Sequence, residues 1–158
     1  MSATIDTLEQ LQALYGVPHE RSLRKELTYL SAPYQALVAA SPFVVLATHG
    51  PDGLDCSPRG DAPGFVRILD EHTLLLPDRP GNNRIDSLRN IIHDPHVALL
   101  FLIPGVGESF RVNGRATISL EPELLALCEA QGKLPRSVLR ISVDTCYFQC
   151  TGSSKCRH

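Results

Sequence analysis

The stretch Pro77-Asp78-Arg79-Pro80-Gly81-Asn82-Asn83-Arg84-Ile85-Asp86-Ser87-Leu88-Arg89-Asn90-Ile91 decides how this chain reads. It leaves an apolar run at Leu76, passes a Pro-Gly turn and enters a helix whose expected buried stripe is Ile85, Leu88 and Ile92. Asn82 or Asn83 is the natural N-cap. Free backbone N–H groups, the positive end of a helix dipole and the Arg84 guanidinium then meet at one point, which makes a socket for a phosphate. A capped helix with Arg84 and Arg89 merely solvated has the same sequence, so the stretch has to be read with its neighbours.

Upstream, Ser57-Pro58-Arg59-Gly60-Asp61 ends a strand with a hydroxyl, a guanidinium and a glycine that permits close backbone approach. In an antiparallel meander this strand end lies beside Leu76 to Arg79, so that Arg59 and Arg84 share one phosphate. The alternative is a polar loop with an internal Arg59/Asp61 ion pair, worth about 0–1 kcal/mol on a surface. Downstream, the period of two in Arg111-Val112-Asn113-Gly114-Arg115 sets Arg111, Asn113 and Arg115 in a row on one face, which lines a groove or simply faces water.

The rest of the chain supplies the scaffold. Asp6-x-x-Glu9 reads as a capping box before Leu8, Leu11 and Leu14, with Gly16 as a stop. A second helix is expected to carry Leu23, Leu27 and Leu30, and a third runs from Ser31 to Ser41-Pro42. From Phe43 the period becomes that of strands: Phe43 to Thr48, Leu54 to Ser57, Phe65 to Leu69 and Thr73 to Leu76. Val97 to Ile103 is apolar throughout, as for a strand covered on both faces. Phe110 to Ser119 alternates, Pro122 to Ala130 is a helix closed by Gly132, and Val138 to Phe148 is a last strand burying Leu139, Ile141 and Val143. Seven strands, three N-terminal helices and two internal ones give an α+β class built on a small antiparallel barrel, with a helical preface over 1–42, a barrel over 43–149 and a flexible tail over 150–158.

The 158 residues suit a single domain, and a composition 43% hydrophobic and 20% charged suits a globular one. A net charge of −2 gives no basic surplus for nucleic acid or an anionic membrane. Lys occurs only at Lys25, Lys133 and Lys155, and every basic residue from Gly50 to Ser119 is Arg, a bias that suits an anionic ligand and that Arg-favouring codon usage also produces. Five scattered cysteines fit a reducing cytoplasm. The stretch MSATIDTLEQ does not read as a signal peptide and the apolar run Val97 to Ile103 is too short to span a bilayer, so neither export nor a membrane location is expected. Aromatics are 6% with no Trp, so a flat ligand needs aliphatic side chains, backbone or a second subunit to hold it.

Four segments, in order, carry a resemblance: Cys56-Ser57-Pro58-Arg59-Gly60-Asp61; Leu74 to Arg84; Pro95-x-Val97-Ala98-Leu99-Leu100-Phe101; and Arg111-Val112-Asn113-Gly114-Arg115-Ala116. Together they resemble the pyridoxamine 5'-phosphate oxidase-like FMN-binding split-barrel family, in its short bacterial branch. The resemblance implies an antiparallel split barrel of about six to seven strands. It also implies a homodimer holding two FMN molecules in grooves between subunits. Ser57, Arg59, Asn83 and Arg84 fall on phosphate-binding positions. Pro77 and Asp78 fall on the strand end that passes the ribityl chain and ring edge, and Arg111 and Asn113 on the strand that approaches the flavin from the interface; Gly60, Arg79 and Asn82, beside them, are counted among the expected cofactor-binding residues. The family oxidase has Ser-Arg-Lys where this chain has Asn82-Asn83-Arg84, and its pyridoxamine phosphate-binding residues have no counterpart. The resemblance implies a basic run and a terminal aromatic where this sequence has Cys150 to His158; if that tail closes over the flavin in relatives, a more open or incomplete site is expected here.

The function implied is that of an FMN-dependent oxidoreductase for a small organic substrate, with a nicotinamide nucleotide as candidate electron donor; the alternatives are a flavin- or haem-binding sensor or store, and a ligand-free structural dimer. The redox chemistry belongs to the flavin, so no catalytic acid, base or nucleophile is assigned among the six histidines. Cys146, Cys150, Cys156 and His158 lack the paired spacing of a zinc site, and no metal is expected. His93 and His96 are read as partners of exposed helix-end carbonyls.

Overall fold

Phase and punctuation in the sequence translate into a rolled sheet flanked by short helices. The computed structural model describes residues 3–79 and 85–150, as α1 (Leu8–Tyr15), α2 (Glu20–Arg24), α3 (Ala32–Ala40), β1 (Phe43–Gly50), β2 (Gly53–Gly60), β3 (Arg67–Asp70), β4 (Thr73–Asp78), α4 (Asp86–His93), β5 (His96–Leu102), β6 (Glu108–Ser119), α5 (Pro122–Leu127) and β7 (Ser137–Cys150). All seven strands join one antiparallel sheet in the order β2-β1-β5-β6-β7-β4-β3. One continuous apolar cluster takes Val44 and Leu46 from β1, Leu74 and Leu76 from β4, Leu99 and Phe101 from β5, and Phe110, Ile141 and Cys146 from β6 and β7. A single core gathering side chains from so many strands means the sheet is rolled around it, while its edges β2 and β3 remain unpaired with each other. This is the split barrel.

α3 closes the core from outside. The Ser31 hydroxyl caps it by accepting the Tyr34 N–H, Pro33 occupies its first turn, and Tyr34 and Val38 enter the core beside Phe110 and Phe148. At its far end the Ser41 hydroxyl reaches the carbonyls of Phe43 and Leu102. The outer face of β4 and β7 is covered separately, Leu75 and Val138 packing under Leu124 and Cys128.

Several expectations need correction. The cap of α1 is one residue later than Asp6-Glu9: Thr7 Oγ1 accepts from Gln10 N–H, and Gln10 Oε1 accepts from the Thr7 and Asp6 N–H groups. The second helix stops at Arg24, because Leu27 exchanges both backbone hydrogen bonds with Cys146 and is extended along β7. Residues of α5 beyond Leu127 leave the helix for a turn in which Gln131 and Gly132 both have positive φ, so Gly132 serves that turn and not a helix end. In α4 the buried residues are Ser87 and Ile91, whereas Ile85 and Ile92 are exposed. The helix lies on β1 through Asn90, which donates to Thr48 Oγ1 at 3.0 Å and presses on Gly50, where a Cβ would come within 1.9 Å of its side-chain oxygen. Finally, Val97 to Ile103 is not covered on both faces: Val97, Leu99 and Phe101 are buried, but Ala98 and Leu100 are half-exposed and Leu102 is 38% exposed.

The alternation expected in β6 is present, with Phe110, Val112 and Ala116 inside and Arg111, Asn113, Arg115 and Thr117 outside. In β7, Leu139, Ile141 and Val143 are buried as expected, but the phase then changes. Asn113 pairs with Thr145 and Gly114 with Val143, so Asp144 is the extra residue of a β-bulge, after which Cys146 is buried. Gly114 is required there, since a Cβ would fall 2.2 Å from the Ser142 carbonyl oxygen.

Candidate functional site

Rolling the sheet brings the C-terminal end of β2 against that of β4, although these strands are not paired. Arg59 Nε donates to Ser57 Oγ at 3.2 Å and its Nη1 donates to Asp78 Oδ1 at 3.2 Å across the split. The next residue on β4's side makes a matching contact: Arg79 Nε donates to Asp61 Oδ2 at 3.1 Å and its Nη2 to the Cys128 carbonyl at 2.9 Å. The Arg59/Asp61 pair read from the sequence is therefore replaced by two crossed pairs, because Asp61 lies beyond the strand end where Arg79 reaches it. Each pair is only partly shielded from water.

These side chains wall a cleft of about 620 Å³, whose other walls are Asp55, Cys56 and Pro58 of β2, the first turn of α4 at Asp86, Ser87 and Leu88, and Arg136 and Ser137 at the start of β7. Its polar equipment is three guanidinium groups (Arg59, Arg79 and Arg136), the hydroxyls of Ser57, Ser87 and Ser137, the carboxylates of Asp55, Asp78 and Asp86, and the first turn of a helix. The guanidinium and hydroxyl donors suit a phosphate. Of the residues singled out in the sequence, Ser57, Arg59, Asp78 and Arg79 line this cleft. Gly60 ends β2 just outside it and Pro77 is buried in β4. Asn82, Asn83 and Arg84 lie outside the described residues, but the expected N-cap at Asn82 or Asn83 is corrected: α4 begins at Asp86, with Ile85 in the N-cap position and no side-chain cap hydrogen bond. Arg136 and Ser87 carried no signal of their own: Arg136 arrives because Asp78 pairs with Ser137 and accepts the Arg136 N–H at 3.0 Å.

Arg111 and Asn113 stand elsewhere, on the open face of the sheet, in a trough of about 690 Å³. Two cross-strand rows form it. One runs Pro58, Val45, Leu100, Arg111, Tyr147; the other runs Cys56, Ala47, Ala98, Asn113, Thr145. The floor is small and apolar and one wall is polar. Cys56 lines both trough and cleft. Tyr147 and Gln149 reach this face only because the bulge at Asp144 reverses the phase of β7, which periodicity alone does not reveal.

Other titratable groups lie away from both. Burial pushes the Cys146 thiol up to about 11, and its Sγ contacts the Tyr29 carbonyl at 3.2 Å; burial likewise raises Cys128 against the opposing fields of Arg67 and Arg79. Both are structural thiols. His96 does not serve a helix end: its Nδ1 and that of His49 both meet the Asp94 carboxylate, at 2.8 and 3.1 Å. No helix among the described residues is long and apolar enough to cross a membrane.

Known proteins share this architecture. The family model described as pyridoxamine 5'-phosphate oxidase matches residues 30–150. No curated protein sequence matches. Among solved structures, HupZ of Group A Streptococcus superposes with a TM-score of 0.61 at 18% identity, covering 78% of this chain and 96% of its own. A candidate pyridoxamine 5'-phosphate oxidase of Lactobacillus delbrueckii gives 0.59 at 20% identity, over 78% and 98%. An FMN-binding protein of Syntrophomonas wolfei gives 0.53 at 10% identity, over 89% and 95%. At such identities these likenesses establish the fold.

Proposed function

The chain belongs to the pyridoxamine 5'-phosphate oxidase family, and from that premise we propose that it is an FMN-binding flavoprotein that works as a homodimer and oxidoreductase on a small organic substrate. The observation that carries the reading is the cleft where the ends of β2 and β4 meet, with Arg59, Arg79, Ser57 and Ser87 converging on a space that fits a phosphate. Arg59 is held in place by Ser57 and Asp78, so its fork is oriented before the ligand arrives. Asp78 and Asp61 keep the two guanidiniums from repelling each other and fix them about the cleft.

From the phosphate, the ligand's path continues past Cys56 onto the alanine floor of the trough, where Ala47 and Ala98 leave room for a flat ring. Asn113 faces the ring's edge. With no Trp in the chain and the trough open above, a second copy supplies the missing wall, with the exposed Leu102 at the interface. Bound FMN supplies hydride or single-electron chemistry; the residues of this chain position it and exclude water. A nicotinamide nucleotide is the proposed electron donor. The free thiols Cys56, Cys128 and Cys146 suit the reducing cytoplasm as its compartment.

The visible spectrum of the purified protein tests this. A flavin absorption that bleaches with a nicotinamide nucleotide is expected. Flavin that is retained but never reduced points instead to a store or sensor, and colourless protein that ignores added FMN removes the reading altogether. Arg59→Ala is expected to weaken FMN retention in equilibrium dialysis by more than about tenfold, and Arg84→Ala, by its place before the helix start, to do the same, since a charged hydrogen bond contributes about 1.5–3 kcal/mol. Unchanged retention takes the residue out of the site.

A further inference from the structure

Arg24, Arg59, Arg79 and Arg115 each sit against a carboxylate, respectively Glu20, Asp78, Asp61 and Asp144. Arg111 does not. Its guanidinium lies 4.8 Å over the Tyr147 ring centroid, donates to the Tyr147 hydroxyl and reaches Gln149 Oε1 at 3.5 Å, and among the described residues no carboxylate comes within ion-pair distance of it. The bulge in β7 brings Tyr147 and Gln149 beside Arg111 on the open face, and all three contacts leave the charge uncompensated. A guanidinium stacked on an aromatic ring and tied by neutral acceptors is pre-oriented, with the rest of its planar fork available for a bidentate anion.

The surroundings say what kind of anion. In its cross-strand row Arg111 stands between Tyr147 and the aliphatic, half-buried Leu100 and Val45. An apolar body lying over these side chains carries its charge at the Arg111 end. Three strand spacings, roughly 14 Å, separate Arg111 from β2 and the phosphate cleft beyond it. The phosphate is therefore already provided for, and Arg111 serves a second negative group. We propose that Arg111, seated by Tyr147 and Gln149, is a carboxylate subsite that anchors the small organic substrate over Leu100 and Val45. Its role as a substrate subsite rests on the flavin reading, whereas the binding of a carboxylate does not, and Arg111 moves from the cofactor to the substrate side of the trough.

Ligand-observed fluorine NMR separates these two roles. The probes are 4-fluorobenzoate and its uncharged analogue 4-fluorobenzamide, titrated with the full chain, Arg111→Gln, Tyr147→Phe and, as a control on the same strand face, Arg115→Gln. The expected result is benzoate binding by the full chain, at least about tenfold weaker in Arg111→Gln and unchanged in Arg115→Gln, with benzamide binding far more weakly. Tyr147→Phe keeps the stacked ring and loses the hydroxyl, and is expected to weaken benzoate less than Arg111→Gln does. No benzoate binding, equal binding of the two probes, or an Arg111→Gln variant that binds like the full chain overturns the subsite. FMN retention is measured on the same samples. If Arg111→Gln loses FMN as far as Arg59→Ala does, Arg111 belongs to the cofactor and the substrate assignment falls. If the full chain retains no FMN yet binds benzoate through Arg111, the flavin reading fails and the carboxylate subsite stands.

Discussion

Asp94 shows how much one side chain ties together. Its backbone N–H bonds Asn90 at the end of α4, and its carboxylate accepts from the His96 N–H and from the rings of His96 and His49, which stand at the ends of β5 and β1. These contacts, the His96 backbone N–H foremost, hold its pKa far below the usual carboxylate range. A carboxyl depressed in the folded state contributes stability above its unfolded pKa of about 4 and loses that contribution as pH falls further. Urea midpoints taken from pH 7 down to 3 are therefore expected to drop below about pH 4, and to drop less steeply in Asp94→Asn; equal slopes disprove the assignment. Gly114 is a second single-residue dependence. Gly114→Ala forces a methyl against the Ser142 carbonyl and is expected to destabilise the protein by about 1–3 kcal/mol in the same assay. The crossed pairs of Arg59 and Arg79 were only half legible: residue types and strand ends mark them as anion binders, but which acid each would meet depends on where Asp61 and Asp78 lie in space.

Elements differ in how far local pattern governs them. α3 forms where Ser31, Pro33 and Ser41-Pro42 mark it, because caps and proline act through neighbouring backbone alone. α4 lies where its pattern puts it but is rotated from the expected face, since its partner is β1, which favours Ser87, Asn90 and Ile91 over the more apolar Ile85 and Ile92. α1 is capped at both ends, yet neither it nor α2 has a buried residue among those whose side chains are described. Removing residues 1–24 is thus expected to leave the melting temperature of the barrel within about 3 °C, because exposed residues contribute little to stability. A larger fall in differential scanning calorimetry shows that this arm is packed on something after all.

At the scale of the whole molecule, the proposed homodimer has its interface on the open face of the sheet. Leu102 is exposed on this face, beyond the alanine floor proposed for the flavin. If a second copy covers the face, Leu102→Asp buries a carboxylate without a partner, which costs several kcal/mol per subunit, and sedimentation velocity is expected to show monomer where the parent chain is a dimer. A variant that stays dimeric moves the interface elsewhere. What the sequence determined by itself was much of what depends on near neighbours: the class, the seven strands, the alternation in β6 and the strand ends rich in guanidinium and hydroxyl groups. Torsional preference, capping and side-chain period are local, and they are written in consecutive residues. Tertiary structure decided which strand ends face each other, how β7 changes phase at Asp144 to bring Tyr147 beside Arg111, and that Val97 to Leu102 shows one face to the open trough. Those outcomes depend on pairings between residues far apart in the chain, chosen by closing the sheet around one core, and no local pattern encodes the partner.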